Sequence, residues 1–255
     1  MKVKDCIAVV TGGASGLGEA TVRALVSCGG RACMFDLQDE KGEALAKELG
    51  KGAIYAHVDV ADEKSVQAGI NKAKETFGGI NAAINCAGIG VMGKLIGKNG
   101  PTPLDHFKKV LDVNLIGVIN VTRLAVEQMM KNEPFEDGEK GVVINTASVA
   151  AFEGQIGQVA YSASKGGIVG INLPLARECS EYGVRVNTIA PGIFETPMMA
   201  SLPEKVRAAL GQMVPFPKRL GYPSEFAQLV LHLIENIMIN GEVIRLDGAI
   251  RMQPK

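Results

Sequence analysis

Seven short apolar or β-branched runs alternate with longer amphipathic segments along this chain, and this alternation restricts the fold more than any other feature. The runs are Cys6 to Val10, Ala32 to Phe35, Ala53 to Val58, Asn81 to Ile84, Val142 to Asn145, Val184 to Ile189 and Val243 to Leu246. Between them lie segments such as Gly16 to Ser27, Glu40 to Leu49 and Glu63 to Phe77, with apolar residues three and four apart, as in helices that cover a sheet. Strand then helix, repeated, requires crossovers to parallel neighbours. The expected fold is therefore α/β, a single doubly wound Rossmann-type domain over residues 1–255 with a seven-stranded, mainly parallel sheet flanked by helices. A chain of 255 residues that is 47% hydrophobic can fill such a core.

Three stretches break the rhythm. Gly93 to Pro103, rich in Gly, Lys and Pro, and Asn132 to Gly141, with Pro134 and several acids, read as loops inserted into the domain. Pro191 to Pro217 holds five prolines and several methionines and reads as a mobile segment covering the substrate in a cleft.

Charge and cysteine usage exclude other classes. Lys plus Arg equals Asp plus Glu at 27 each, so the chain has no net field to attract nucleic acid. Its five cysteines, at 6, 28, 33, 86 and 179, are odd in number and form no CxxC pair, as expected of reduced thiols in an intracellular protein. The charged start, Met1 to Asp5, leaves no room for a signal peptide, and apolar runs stop short of the roughly 20 residues of a membrane helix. A soluble protein is expected, cytoplasmic in a bacterium or in the mitochondrial matrix if a transit segment has been removed. His57, His106 and His232 stand apart, without partners at metal-ligand spacing, so no metal is expected.

The first strand ends in Thr11-Gly12-Gly13-Ala14-Ser15-Gly16-Leu17-Gly18, directly before a helix. Glycines there permit a tight turn and let a pyrophosphate approach the free N–H groups and positive dipole end of the helix. Alone, such a turn is equally a turn and nothing more. The second strand adds Asp36 and Leu37, placing an acid 18 residues beyond Gly18. That carboxylate could accept both ribose hydroxyls of an adenosine and would repel the extra phosphate of NADP, favouring NAD; the alternative is that it caps the helix starting near Asp39. The third strand ends in Val58-Asp59-Val60, where Asp59 could reach an adenine amino group or cap the next helix. The fourth ends in Asn85-Cys86-Ala87-Gly88, small residues across which a cofactor could lie.

After the fifth strand comes Ser148, and thirteen residues later Tyr161-Ser162-Ala163-Ser164-Lys165. A spacing of four puts Tyr161 and Lys165 on one helical face. A nearby ammonium and a positive nicotinamide favour the phenolate; bringing a phenol to neutral pH needs about 4 kcal/mol of such help. Tyr161 could then take an alcohol's proton while Ser148 holds the same oxygen. A YxxxK pair alone is common, and more often an ordinary surface helix pair than a site.

Taken in order, Thr11-Gly12-xxx-Gly16-x-Gly18, Asp36, Asp59, Asn85-x-Ala87-Gly88, Asn114, Ser148, Tyr161-xxx-Lys165 and Pro191-Gly192 resemble the short-chain dehydrogenase/reductase family over essentially the whole chain. The resemblance implies a tetrad of Asn114, Ser148, Tyr161 and Lys165, with Asn114 helping to hold a water that links Lys165 to solvent. It implies that Lys165 bonds the nicotinamide ribose and that Ile193 and Thr196, after Pro191-Gly192, contact the carboxamide. Cys86 departs from the family's usual Asn. The runs Ile144 to Gln155, Ala160 to Gly170 and Gly241 to Pro254 are similar to the branch that oxidises short and branched (S)-3-hydroxyacyl-CoA esters and some hydroxysteroids with NAD, as homotetramers. Lys94 and Lys98 could then meet the CoA phosphates or simply face solvent. Gly154 to Gly157 and the methionines at 198, 199 and 213 could line an apolar pocket, fill core or meet another subunit. The rival readings are a hydroxysteroid dehydrogenase, an NADPH-dependent 3-oxoacyl-carrier-protein reductase and an NAD-binding scaffold.

Overall fold

The computed structural model describes residues 1–200 and 203–254. Its first half runs β1 (Ile7–Thr11), α1 (Gly16–Ser27), β2 (Arg31–Asp36), α2 (Asp39–Leu49), β3 (Ala53–His57), α3 (Glu63–Phe77) and β4 (Ala82–Asn85). A hairpin of β5 (Ile96–Gly97) and β6 (Gly100–Pro101) follows, then α4 (Leu104–Leu111), a π-helical turn at Asp112–Ile116 and α5 (Gly117–Met129). The rest comprises β7 (Gly141–Thr146), α6 (Val159–Ser180), β8 (Val184–Pro191), α7 (Pro197–Ala200), α8 (Glu204–Met213), α9 (Pro223–Glu235) and β9 (Val243–Leu246). Among the described residues no helix is long and apolar enough to cross a membrane.

Seven strands form one sheet in the order β3-β2-β1-β4-β7-β8-β9, each pair parallel. The seven sequence runs become these seven strands. Their alternation sorts side chains between two layers. In β1, Ala8 and Val10 pack with Val22, Leu25, Phe226 and Leu233 from α1 and α9, whereas Val9 packs with Ile70 and Val121 from α3 and α5. Both faces are covered, so the strands read as nearly unbroken apolar runs. Each fully buried large aliphatic or aromatic side chain contributes about 1.5–3 kcal/mol. The order of connection reverses between β1 and β4, which opens a crevice at the carboxyl ends of the strands.

The stretches expected as loops carry more structure than their composition suggests. Gly93 to Pro103 contains the two-residue strands β5 and β6, and Pro191 to Pro217 contains α7 and α8, with Ser201 and Leu202 outside the described residues. Two of its five prolines stand at helix starts: Pro197 opens α7 and Pro203 is the N-cap of α8. The missing N–H costs a helix nothing there.

At the opposite end of the sheet, Arg185 of β8 is buried with Glu139 at 2.7 Å, and the same carboxylate holds the Met1 ammonium. Its guanidinium also donates to the Leu233 and Ile234 carbonyls of α9 and to the Ile239 carbonyl beyond it. Arg185→Met should therefore lower stability by about 3–5 kcal/mol, as removal of one partner from a buried pair does, read as a lower urea midpoint. A midpoint equal to that of the wild type would show that the network adds nothing to the fold.

Candidate active site

The glycine turn after β1 is shaped by contacts that only glycine permits. Gly12 has φ +63° and donates its N–H to the Phe35 carbonyl at 2.8 Å; a Cβ there would sit 3.0 Å from the Ala87 nitrogen. A Cβ on Gly18 would lie 2.1 Å from the Gly12 carbonyl oxygen, so α1 could not pack so closely on the turn. Ser15 is the N-cap of α1, in extended conformation, and its side chain makes no cap bond among the described residues. The first-turn N–H groups of Gly16, Leu17 and Gly18 thus remain for an anion.

Asp36 closes the β2 side of this turn. Its Oδ2 accepts from Ala14 N at 3.0 Å, and its Oδ1 accepts from Leu37 N at 2.8 Å and Gln38 N at 3.1 Å. The carboxylate is fastened to the glycine turn, and the N-cap of α2 is Gln38, so Asp36 is not its cap. Asp59 is exposed and accepts from Ala61 N at 2.9 Å, while Asp62 caps α3 through Lys64 N and Ser65 N, leaving Asp59 free of the capping role. Val60 is buried against Gly117, and Leu37 is exposed.

On the other side of the crevice, two of the tetrad candidates, Asn114 and Lys165, approach Gly88. The position of a Cβ on Gly88 is 3.3 Å from Asn114 Oδ1 and 3.6 Å from Lys165 Nζ, so both polar groups border the same small space. Asn114 lies in the π turn, fully buried; its Oδ1 accepts from Ile89 N at 2.8 Å and its Nδ2 donates to Ser164 Oγ at 3.1 Å. Ser164 Oγ in turn donates to the Tyr161 carbonyl at 2.7 Å, which ties Asn114 to the turn of α6 that carries the phenol. Neighbouring Ala87 donates its N–H to Thr11 Oγ1 at 3.0 Å, and Cys86 accepts from Thr146 Oγ1 at 3.7 Å.

Lys165 is buried and donates to the Thr146 carbonyl at 2.7 Å, with its Nζ 5.8 Å from the centre of the Tyr161 ring. Burial drives its pKa down to about 8. Ser148 ends the turn after β7, buried, with its hydroxyl beside the Tyr161 phenol. The sequence predicts a phenol lowered by Lys165; in the protein itself desolvation raises it, and the Ser148 hydroxyl opposes that rise. The Lys165 ammonium is not among the groups that oppose the rise.

The segment after β8 arches back over the glycine turn. Pro191 is buried, Gly192 N donates to the Leu246 carbonyl at 2.9 Å, and the Ile193 carbonyl accepts from Gly221 N at 2.9 Å. Thr196 lies 3.6 Å from where a Cβ on Gly16 would sit. Lys94 and Lys98 are exposed around the β5–β6 hairpin; Met213 is partly exposed, and the side chain of Met198 lies outside the described residues. The sequence reading missed the backbone anchor at Thr146 and the bridging role of Ser164. A carbonyl leaves no mark in a sequence, whereas Ser164, three residues from Tyr161, could have been suspected from helical spacing.

With this geometry in view, residues 6–207 match the family model described as short chain dehydrogenase, and the chain belongs to that family. It is an oxidoreductase that works with a nicotinamide cofactor on a small-molecule substrate. It is 58% identical over 254 residues to 3-hydroxyacyl-CoA dehydrogenase type-2 of Homo sapiens, covering 99% of this chain and 97% of that protein. The crystal structure of 3-hydroxyacyl-CoA dehydrogenase type-2 from Mycobacterium avium matches with a TM-score of 0.94 at 46% identity, covering 98% and 97% of the two chains. At 33% identity over 256 residues, covering 98% and 99%, it is also similar to the 3-oxoacyl-[acyl-carrier-protein] reductase FabG of Thermotoga maritima.

A lysine whose folded pKa is depressed penalises the folded state fully below that pKa and is relieved as pH rises from about 8 towards its unfolded value. Lys165→Met should therefore stabilise the fold at pH 7 by about 2 kcal/mol after loss of its hydrogen bond, with the gain shrinking as pH rises above 8. Urea midpoints across pH check this; a gain independent of pH would contradict the burial argument.

Proposed function

We propose that this enzyme interconverts (S)-3-hydroxyacyl-CoA and 3-oxoacyl-CoA esters of short or branched chain, using NAD. The observation that carries the reading is 58% identity along nearly the whole chain to a 3-hydroxyacyl-CoA dehydrogenase, combined with four tetrad candidates gathered around one crevice. The carrier-protein reductase is the weaker reading, with an identity of 33%. Asp36 supports NAD over NADP, because a fastened carboxylate suits ribose hydroxyls and repels a phosphate. The residues fit a dinucleotide: Gly12 and Gly18 admit no side chain, and the uncapped start of α1 offers N–H groups to a pyrophosphate.

When bound, NAD supplies the hydride acceptor. Tyr161 takes the hydroxyl proton of the substrate as general base, and Ser148 donates a hydrogen bond to the same oxygen and fixes it in place. Lys165, anchored on Thr146, favours the phenolate and bonds the ribose. Asn114, facing Lys165 across Gly88, holds the water that carries the proton outward. Pro191, Gly192, Ile193 and Thr196 flank the nicotinamide, and the segment 191–217 covers the substrate within the single domain. Leu37, Asp59, Val60, Cys86 and Ala87 complete the adenosine and ribose walls. Exposed Lys94 and Lys98 meet the CoA phosphates.

A homotetramer is supported by apolar side chains left on the surface of α4, the π turn and α6, where Leu104, Ile116 and Val159 are at least half exposed. A reducing intracellular compartment is supported by the five free cysteines.

Acetoacetyl-CoA should consume NADH and leave NADPH untouched, followed by the absorbance of the reduced nicotinamide. Turnover with NADPH alone would overturn the cofactor assignment, and turnover with neither would overturn the substrate. Tyr161→Phe should lower kcat by roughly 10²- to 10⁴-fold, the usual share of general acid–base catalysis. Wild-type kcat in that variant would remove Tyr161 from the mechanism. Asp36→Ala should weaken NADH binding by about 10- to 100-fold, the value of hydrogen bonds to a charged group; titration of nicotinamide fluorescence measures it, and unchanged affinity would sink the ribose contact.

A further inference from the structure

The crevice has a charged rim that the chemistry above leaves unused. Glu153, five residues beyond Ser148, forms a two-pronged pair with Arg245 of β9, Nη1 to Oε1 at 2.7 Å and Nη2 to Oε2 at 2.8 Å. The Nε of Arg245 donates to Asp247 Oδ2 at 2.8 Å, and its guanidinium lies 5.0 Å from the centre of the Phe152 ring. Arg251 donates to the same Asp247 oxygen at 3.2 Å and approaches Glu153 at 3.5 Å.

The cluster is joined to two segments that border the proposed site. Towards the nicotinamide flank, Asp247 packs on Gly192, where a Cβ would sit 2.9 Å from the Asp247 Cα. Towards the substrate, the loop that starts at Glu153 continues to Gly157. Within it, Gln155 Nε2 donates to the Gln253 carbonyl at 2.9 Å and Ile156 N donates to the Pro254 carbonyl at 3.0 Å. The Gly157 carbonyl accepts from Gly93 N at 2.8 Å, which joins the inserted loop to the same rim. Arg245 and Glu153 side chains are 22% and 25% exposed, so solvent screens this pair less than a surface one. A planar guanidinium gripping a carboxylate with two bonds fixes orientation as well as distance.

We propose that Arg245 is a positioning residue for the reaction, clamping the 152–157 loop to β9 so that the acyl group is held at a set distance from the nicotinamide flank at Gly192. The inference rests on the proposed acyl-CoA function and deepens it by naming what fixes the acyl wall. None of the clamp residues meets the reacting atoms; they act through the loop.

The test uses Arg245→Met and Glu153→Gln, singly and together, assayed with acetoacetyl-CoA and its α-methyl-branched homologue, with NADH affinity and melting temperature measured in parallel. Asp247 keeps its bond from Ala249 N at 2.9 Å in these variants, so NADH affinity should be unchanged. Turnover of the branched thioester should fall by about 10- to 100-fold in kcat/KM, as displaced walls cause, and by more than for acetoacetyl-CoA. Both substitutions break one clamp, so the double variant should be no worse than the worse single one. Arg245→Lys should fail to rescue, because a point charge cannot supply the fork.

Wild-type kinetics on both thioesters in the variants would overturn the inference. So would losses that multiply in the double variant, or losses that follow NADH affinity. If Arg245→Met fails to fold, Glu153→Gln, which keeps the volume and one acceptor oxygen, carries the test alone. Inactivity of the wild type on both thioesters would remove the proposed substrate and this inference together, whereas loss of the inference alone leaves wild-type activity intact.

Discussion

Burial of the central strands on both faces is the constraint from which the rest follows. With helices above and below, β1, β4, β7 and β8 have no solvent face on which to carry chemistry. The candidate site residues therefore stand at the carboxyl ends of the strands and in the first turns of the segments that follow, as with Asp36, Gly88 and Ser148. Polar side chains kept within the strands bond across the sheet and to α6, while Asn85 Oδ1 and Asn145 Nδ2 are buried without a partner among the described residues. Asn85 Nδ2 donates to the in-register Asn145 Oδ1 at 2.9 Å, and Thr188 Oγ1 donates to Asn172 Oδ1 at 2.8 Å. Unpaired, each would cost about 1–3 kcal/mol.

The same burial sets the electrostatics of the site. Lys165 is held in a place that disfavours its charge, and the Thr146 carbonyl is the partner that keeps it there. Tyr161 is raised rather than lowered in the protein itself. Desolvation thus moves the two groups in opposite directions, each towards its neutral form.

Much of the fold was legible because it rests on periodicities. Apolar runs of strand length separated by segments of period 3.6 gave all seven strands, and glycines between a strand and a helix marked the turn that only glycine fits. The helices within Pro191 to Pro217 were not legible, because proline serves equally as a breaker and as a helix starter and the sequence does not say which. The Glu153–Arg245 pair was also invisible: its partners lie 92 residues apart, and no local pattern joins them.

The sequence by itself determined the class of fold, the family and the identity of the residues offered for chemistry, since these depend on residue type, order and local spacing. Tertiary structure alone decided that Asn114, Lys165 and Gly88, far apart in the chain, share one small space. It also decided that Asp59 is not the cap of α3, that Lys165 hangs from the Thr146 carbonyl and that Tyr161 is raised in pKa. The reason is physical: desolvation and hydrogen bonding to backbone depend on what surrounds a group in space, and a strand order of 3-2-1-4-7-8-9 brings together neighbours that chain order keeps apart.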